Sequence, residues 1–250
     1  LGEVWIKWEC HTEFVTYTAF VDGLGDLAFD GSEFSVFPAA WQAALSGTTL
    51  SSTSIRVEED QDTQSIKNKL EDWFVSESLA ASRVLDSAAV IAGDYRMDDN
   101  GNMRFAVFVP ASTGRRRVGR IVQRLNEIEV YKTMSMLGLM RARELSVELN
   151  SVDTNLSALV ADLADDKVPA EDNLNGLLKL SADLEGHSAA VAYRFSASKA
   201  YAAIVAQRIE VLRETQFEAR QTFREFMMRR FDPAMRTVQA LDSRLQDLIS

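Results

Sequence analysis

The chain has 250 residues, 46% hydrophobic and 26% charged, enough for one large domain or two smaller ones without disulfides or a structural metal. Its one cysteine, Cys10, has no partner within the chain, which points to a reducing compartment. The net charge of −10 argues against nucleic-acid binding, because phosphate contacts need a net basic face.

That charge is unevenly shared. Residues 1–114 hold 7 Lys+Arg against 18 Asp+Glu, and residues 115–250 hold 20 against 19, so −11 and +1 give the total of −10. No stretch approaches the roughly 20 apolar residues needed to cross a bilayer. The longest apolar block, Met134 to Met140, contains Ser135 and Gly138. Leu1 opens directly into strand-like sequence with no basic segment before an apolar run, so we expect a trimmed N-terminus and no signal peptide.

In chain order, Val4, Ile6 and Trp8 alternate with Trp5 and Lys7, and Phe14 to Phe20 alternate likewise, the period-2 pattern of two strands. The short Cys10–Thr12 link suggests a hairpin or a bulged turn. Gly23, Gly25 and Gly31 with Asp22, Asp26 and Asp30 mark a loop. Pro38 starts a short helix through Leu45. Ser54 to Glu58 reads as a strand, and Thr63 to Phe74 as a helix with Ile66, Leu70, Trp73 and Phe74 inward. Val90 to Met97 and Met103 to Val109 flank Asp98-Asp99-Asn100-Gly101-Asn102. An Asn-Gly between β-rich runs is a strong hairpin signature, because both residues tolerate positive φ.

After Gly114 the pattern becomes helical. Leu145, Leu149, Val152, Leu156, Leu159 and Leu163 step by four and three, a heptad-like seam. A helix over 115–163 would be roughly 70 Å long. Asp165-Asp166-Lys167-Val168-Pro169 breaks the pattern. A second helix is predicted from Glu171, with an interruption near Ser196–Ser198. Val205, Ile209, Leu212, Gln216, Ala219, Phe223 and Phe226 extend its seam to Phe231. Asp232-Pro233, an N-cap with a first-turn proline, starts a last helix with Val238, Leu241, Leu245 and Leu248 in register to the end. Its pattern is unfinished at Ser250, so we expect the chain to continue. The expected fold is α+β: an α/β domain over 1–113 with a mixed or antiparallel sheet, then a long helical hairpin and stalk-like helix over 114–250.

Catalytic motifs are missing from this pattern. Cys10 and His11 are neighbours on a strand and point to opposite faces, so they do not readily share a proton. His187 reads as a solvated or packed helical residue. Gly23-Leu24-Gly25 lacks the third glycine and the helix of a dinucleotide fingerprint. We therefore expect no enzyme and no catalytic residues. Arg115, Arg116 and Arg117, with Arg120 close by, open a helix against its own dipole. A bound anion, an acidic partner or the chain's own acidic domain would offset them. Asp162, Asp165, Asp166, Glu171 and Asp172 crowd the helical hairpin tip. A solvated loop accounts for them, and so does a magnesium or calcium ion held by hard oxygen ligands. Arg213 beside Glu210 and Glu214 marks an exposed or inter-subunit helical face.

Trp8 to Phe14, Arg104 to Val109, Gly119 to Leu125 and Phe226 to Arg236 resemble an uncharacterised proteobacterial family of proteins expected to be membrane-anchored, over essentially the whole chain. The resemblance implies a further helix and a hydrophobic C-terminal segment beyond Ser250, and no catalytic residues. The order of parts is also similar to the cytosolic portion of CorA-type magnesium channels, whose Gly-Met-Asn signature would lie beyond Ser250. The expected function is therefore a soluble domain at the cytoplasmic face of the inner membrane. It would belong to a membrane-anchored homo-oligomer with CorA-like divalent cation transport or gating. The alternative is an anchored scaffold or interaction module without transport. Expected partners are further copies of the chain and the membrane, with no nucleic acid and no cofactor beyond magnesium or calcium at the acidic tip.

Overall fold

The computed structural model describes residues 3–164 and 168–249. It is α+β, as the sequence predicts. The chain divides into two compact units, Leu1–Asn126 with Leu212–Phe223, and Glu127–Val211 with Arg224–Ser250. Their division does not coincide with the pattern change at Gly114. The reason is a segment that leaves the helical part and rejoins the first unit.

In the first unit, β1 (Val4–Cys10) and β2 (Val15–Val21) form a two-stranded antiparallel hairpin. A 3-10 turn over Ser32–Val36 and helix α1 (Ala39–Ala44) follow. The main sheet has five strands in the order β3-β6-β5-β4-β7. These are β3 (Thr53–Glu59), β4 (Ala80–Val84), β5 (Ala89–Gly93), β6 (Met103–Val109) and β7 (Thr215–Gln216). β3 runs parallel to β6, and the other strand pairings are antiparallel. The predicted Asn-Gly turn joins β5 to β6: Gly101 adopts φ +81°, and Asp98 N–H donates to Asn102 O at 2.9 Å.

Helix α2 (Thr63–Trp73) starts at Asp62, whose carboxylate accepts from Ser65 N–H at 2.7 Å. Its inward residues Ile66 and Leu70 pack with Phe74, Ala92, Ala106 and Phe108 in the core on one face of the sheet. Phe105, on the other face, meets Tyr95 and Phe223.

Three long helices dominate the second unit: most of α3 (Arg115–Ala164), α4 (Ala170–Glu210) and α6 (Asp232–Ile249), with the short α5 (Phe223–Arg230) before α6. Leu145, Leu149 and Val152 of the predicted seam are buried, whereas Leu163 is exposed. Asp232 begins the last helix as its sequence implies. No interruption falls near Ser196–Ser198; α4 is continuous there.

At Gly138 a Cβ would lie 2.2 Å from Ser198 Oγ and 2.7 Å from Ser198 Cβ, so α3 and α4 approach closely at this point. Ser198 is fully buried and has little room to yield. We expect Gly138→Ala to cost about 1–3 kcal/mol through overpacking, although alanine is the better helix former. Thermal unfolding followed by circular dichroism reads this directly, and a raised melting temperature would refute the close approach.

The structure departs most from the sequence pattern at 211–222, whose helical periodicity runs on to Phe231. α4 ends at Glu210, and the chain turns into the first unit's sheet. Leu85 N–H donates to Leu212 O at 2.9 Å, and Ala81 N–H donates to Gln221 O at 2.9 Å. Arg213 pairs with Asp86 at 2.9 Å rather than with Glu210 or Glu214. Glu214 instead accepts from Ser82 Oγ at 2.8 Å and Phe223 N–H at 3.0 Å.

Candidate functional site

A dense polar cluster lies between β3 and α2. Alternation along β3 places Arg56 and Glu58 on the helix side of the sheet. Lys69, nearly two turns into α2, reaches Glu58 at 2.7 Å and Asp60 at 2.8 Å. Arg56 binds Glu58 at 2.6 Å and stacks over Trp73. Ser65 Oγ and Asp62 N–H complete the shell of Asp60. Two cations thus meet two carboxylates in a closed network with its polar capacity used internally. Such a network ties a helix to a strand.

Burial is the largest influence on Glu58 and opposes its charge, but hydrogen bonds from Lys69 and Arg56, with their charges, together hold its carboxyl below the ordinary value. Asp60 is lowered in the same way, burial again being outweighed by Lys69, Ser65 and Asp62. Burial likewise opposes the charge of Lys69, yet its bonds to Asp60 and Glu58 raise it. The sign follows: depressed carboxyls stabilise above their unfolded pKa values, and that contribution is lost as pH falls through the folded values. The raised lysine contributes below its unfolded pKa and loses that contribution only in strong alkali. We expect the urea midpoint to fall on acidification below about pH 4.5, and Lys69→Met to flatten that limb. Parallel curves for both proteins would refute the coupling.

On the α2 side of the sheet edge is a cleft of about 400 Å³ lined by Lys67, Glu71, Glu218 and Arg220 over a floor of Leu70 and Phe217. Its ion pairs, Lys67–Glu218 at 4.0 Å and Arg220–Glu71 at 3.8 Å, balance its charge. No histidine, cysteine or serine lines it.

Arg115, Arg116, Arg117 and Arg120 are all exposed on the first turns of α3, an open basic surface. Asp162 is half-buried near the end of α3, and Glu171 and Asp172 are exposed in the first turn of α4. Asp165 and Asp166 lie outside the described residues. Among the described residues, no group of three or more His, Cys, Asp or Glu side chains is placed to hold a metal ion. No helix among them is long and apolar enough to cross a membrane. His187 pairs with Glu148 at 3.0 Å, linking α4 to α3.

A surface that periodicity alone did not single out lies along α4. Ala182, Gly186, Ala189, Tyr193, Ser196, Ala200 and Ala203 step by four and three and are all exposed. This is a second, uncharged seam, on a helix whose other stripe (Leu180, Leu184, Val191, Phe195) is buried in the unit. Helical glycines Gly138 and Gly176 each have a close neighbour where a Cβ would stand, Ser198 and Leu159 respectively. Gly119 and Gly186 face open space, and of the two Gly186 lies on this stripe. A mid-helix glycine costs roughly 0.5–1 kcal/mol against alanine. A recognisable signal was present in the sequence as small residues at heptad spacing, but the larger Leu and Phe residues of the buried seam outweighed it.

The fold and this surface define a class: a unit of mixed sheet and short helices joined to a unit of long helices that carries an exposed, uncharged helical face. The chain belongs to the family described as "Protein of unknown function (DUF3422)", which matches residues 1–250. No curated protein and no solved structure matches it.

Proposed function

We propose that this chain is an assembly domain whose helical unit self-associates along the exposed seam of α4. One observation supports it above the others: a continuous uncharged stripe, small-sided except for Tyr193, carries Gly186 where the chain has no neighbour for it. Small residues let helix backbones approach closely, and a four-three repeat matches the geometry of packed helices. The role is structural rather than catalytic, since the polar clusters close on themselves.

The resemblance to membrane-anchored proteins supplies a setting for this assembly, at the cytoplasmic face of a membrane. CorA-like cation passage is the more demanding version of the same reading. The scaffold version needs only the helical face, and the geometry favours it.

The test is association measured by light scattering and sedimentation. Ala189→Lys should lower the association state by removing the α4 contact, without altering its circular dichroism. Gly186→Ala should separate two effects, raising the melting temperature at high dilution while weakening association. A wild-type chain that stays monomeric at tens of micromolar, or an oligomer indifferent to both substitutions, would remove the proposal.

A further inference from the structure

The hairpin of β1 and β2 forms a sheet of its own, with no third strand pairing to it among the described residues. Two strands alone are marginally stable in water, and an uncovered edge is a template for another strand. β1 is the barer of the two: Trp5 is 62% exposed, Ile6 57% and Trp8 66%. Val4, Ile6, Trp8 and Cys10 share one face with Val15, Tyr17, Ala19 and Val21, and that face carries no charge. The opposite face holds Lys7 and Glu9, paired along the strand at 2.8 Å.

The direction of the edge's hydrogen bonds follows from the turn. His11 N–H donates to Phe14 O at 2.9 Å, in the same ladder that pairs Cys10 with Val15 and Trp8 with Tyr17. In an antiparallel ladder, alternate residues direct both backbone groups to the partner strand. The odd-numbered residues of β1 therefore bond to β2, and the N–H and C=O of Val4, Ile6, Trp8 and Cys10 face outward.

We infer that β1 pairs antiparallel with β1 of a second copy about a two-fold axis at Trp8, making a four-stranded sheet. The charges select this register. Outward backbone groups must oppose outward groups, so two-fold centres at Ile6, Lys7 or Trp8 keep five or more residues of β1 paired. Centring on Ile6 sets Glu9 against the second copy's Glu3. Centring on Lys7 sets lysine against lysine. Only the Trp8 centre sets Lys7 against the second copy's Glu9, twice, in the closer, non-hydrogen-bonded pairs. On the apolar face it sets Trp8 against Trp8 and Ile6 against Cys10. A pairing of this kind is isologous and closes on itself.

Sedimentation equilibrium on the full chain carrying Ala189→Lys isolates this contact from association along α4. The expected result is a dimer. Lys7→Glu and Glu9→Lys should each weaken it on the order of tenfold, since each sets like charges opposite in two symmetric pairs. The double exchange should return affinity to within about twofold of the parent, as the opposition is restored. Ile6→Pro removes an outward N–H while sparing the bonds to β2, so it should abolish the dimer with an unchanged circular dichroism spectrum. A monomeric parent, or a dimer equally tight in the single and double charge variants, overturns the inference. Failure of Ala189→Lys to alter wild-type association counts against the α4 reading alone.

Discussion

Replacing Phe217 with alanine is expected to destabilise the first unit by about 3–5 kcal/mol, the range for truncating a fully buried aromatic residue. Phe217 is fully buried in the core that α2 makes against the sheet, and Arg83 lies over its ring at 4.9 Å. Its N–H reaches Ala81 O at 3.4 Å, so the side chain also anchors the strand pairing beside it. The substitution opens a cavity at the sheet edge and loosens the returning segment. Hydrogen exchange should therefore accelerate first at Ala81 and Leu85, whose amides bind Gln221 and Leu212. Were Leu212–Phe223 a continuation of α4, Phe217 would sit on a helix surface and the change would stay within about 0.5 kcal/mol. Urea unfolding separates these outcomes.

That segment also shows where the sequence is opaque. Leu212, Phe223 and Phe226 continue the spacing of Val205 and Ile209, and no glycine or proline interrupts them. The turns are made by Arg213, Glu218 and Ala219 at φ of 49°, 48° and 58°, conformations uncommon for such residues and unadvertised by their chemistry. β4 escaped notice for a related reason. Ala80-Ala81-Ser82-Arg83-Val84 has weak strand propensity, and its hairpin turn puts Leu85, Asp86 and Ser87 all at positive φ without a glycine. By contrast, the Asn-Gly turn, the Asp62 cap, the strand alternation of β1 and β2 and the Asp232-Pro233 break are local signals, and each lies where the sequence places it. The candidate surface was legible in part. Long amphipathic helices could be read, but which of two competing stripes on α4 is buried depends on the helices packed beside it.

Asp94→Ala is the second large effect, also expected at about 3–5 kcal/mol, because it strands a buried positive charge. Asp94 is fully buried, and its carboxylate accepts from Arg104 at 3.0 Å, from Val75 N–H at 3.0 Å and from Arg96 N–H at 3.1 Å. One side chain thus ties the end of α2 to the exit of β5 and holds the reversal in which Tyr95 takes a φ of 53°. This explains why the strand predicted to run to Met97 stops at Gly93. Removing the carboxylate leaves Arg104, which is mostly buried and stacked over Phe74, without its counter-ion. Asp94→Asn keeps one acceptor and the side-chain shape, so it should cost less than alanine. Adding Arg104→Leu to Asp94→Ala removes the stranded charge, so the double variant should be less destabilised than the sum of the two single changes. Strict additivity in a double-mutant cycle, measured by urea unfolding, would mean that the two side chains act independently and that the loss at Asp94 comes from its backbone contacts to Val75 and Arg96.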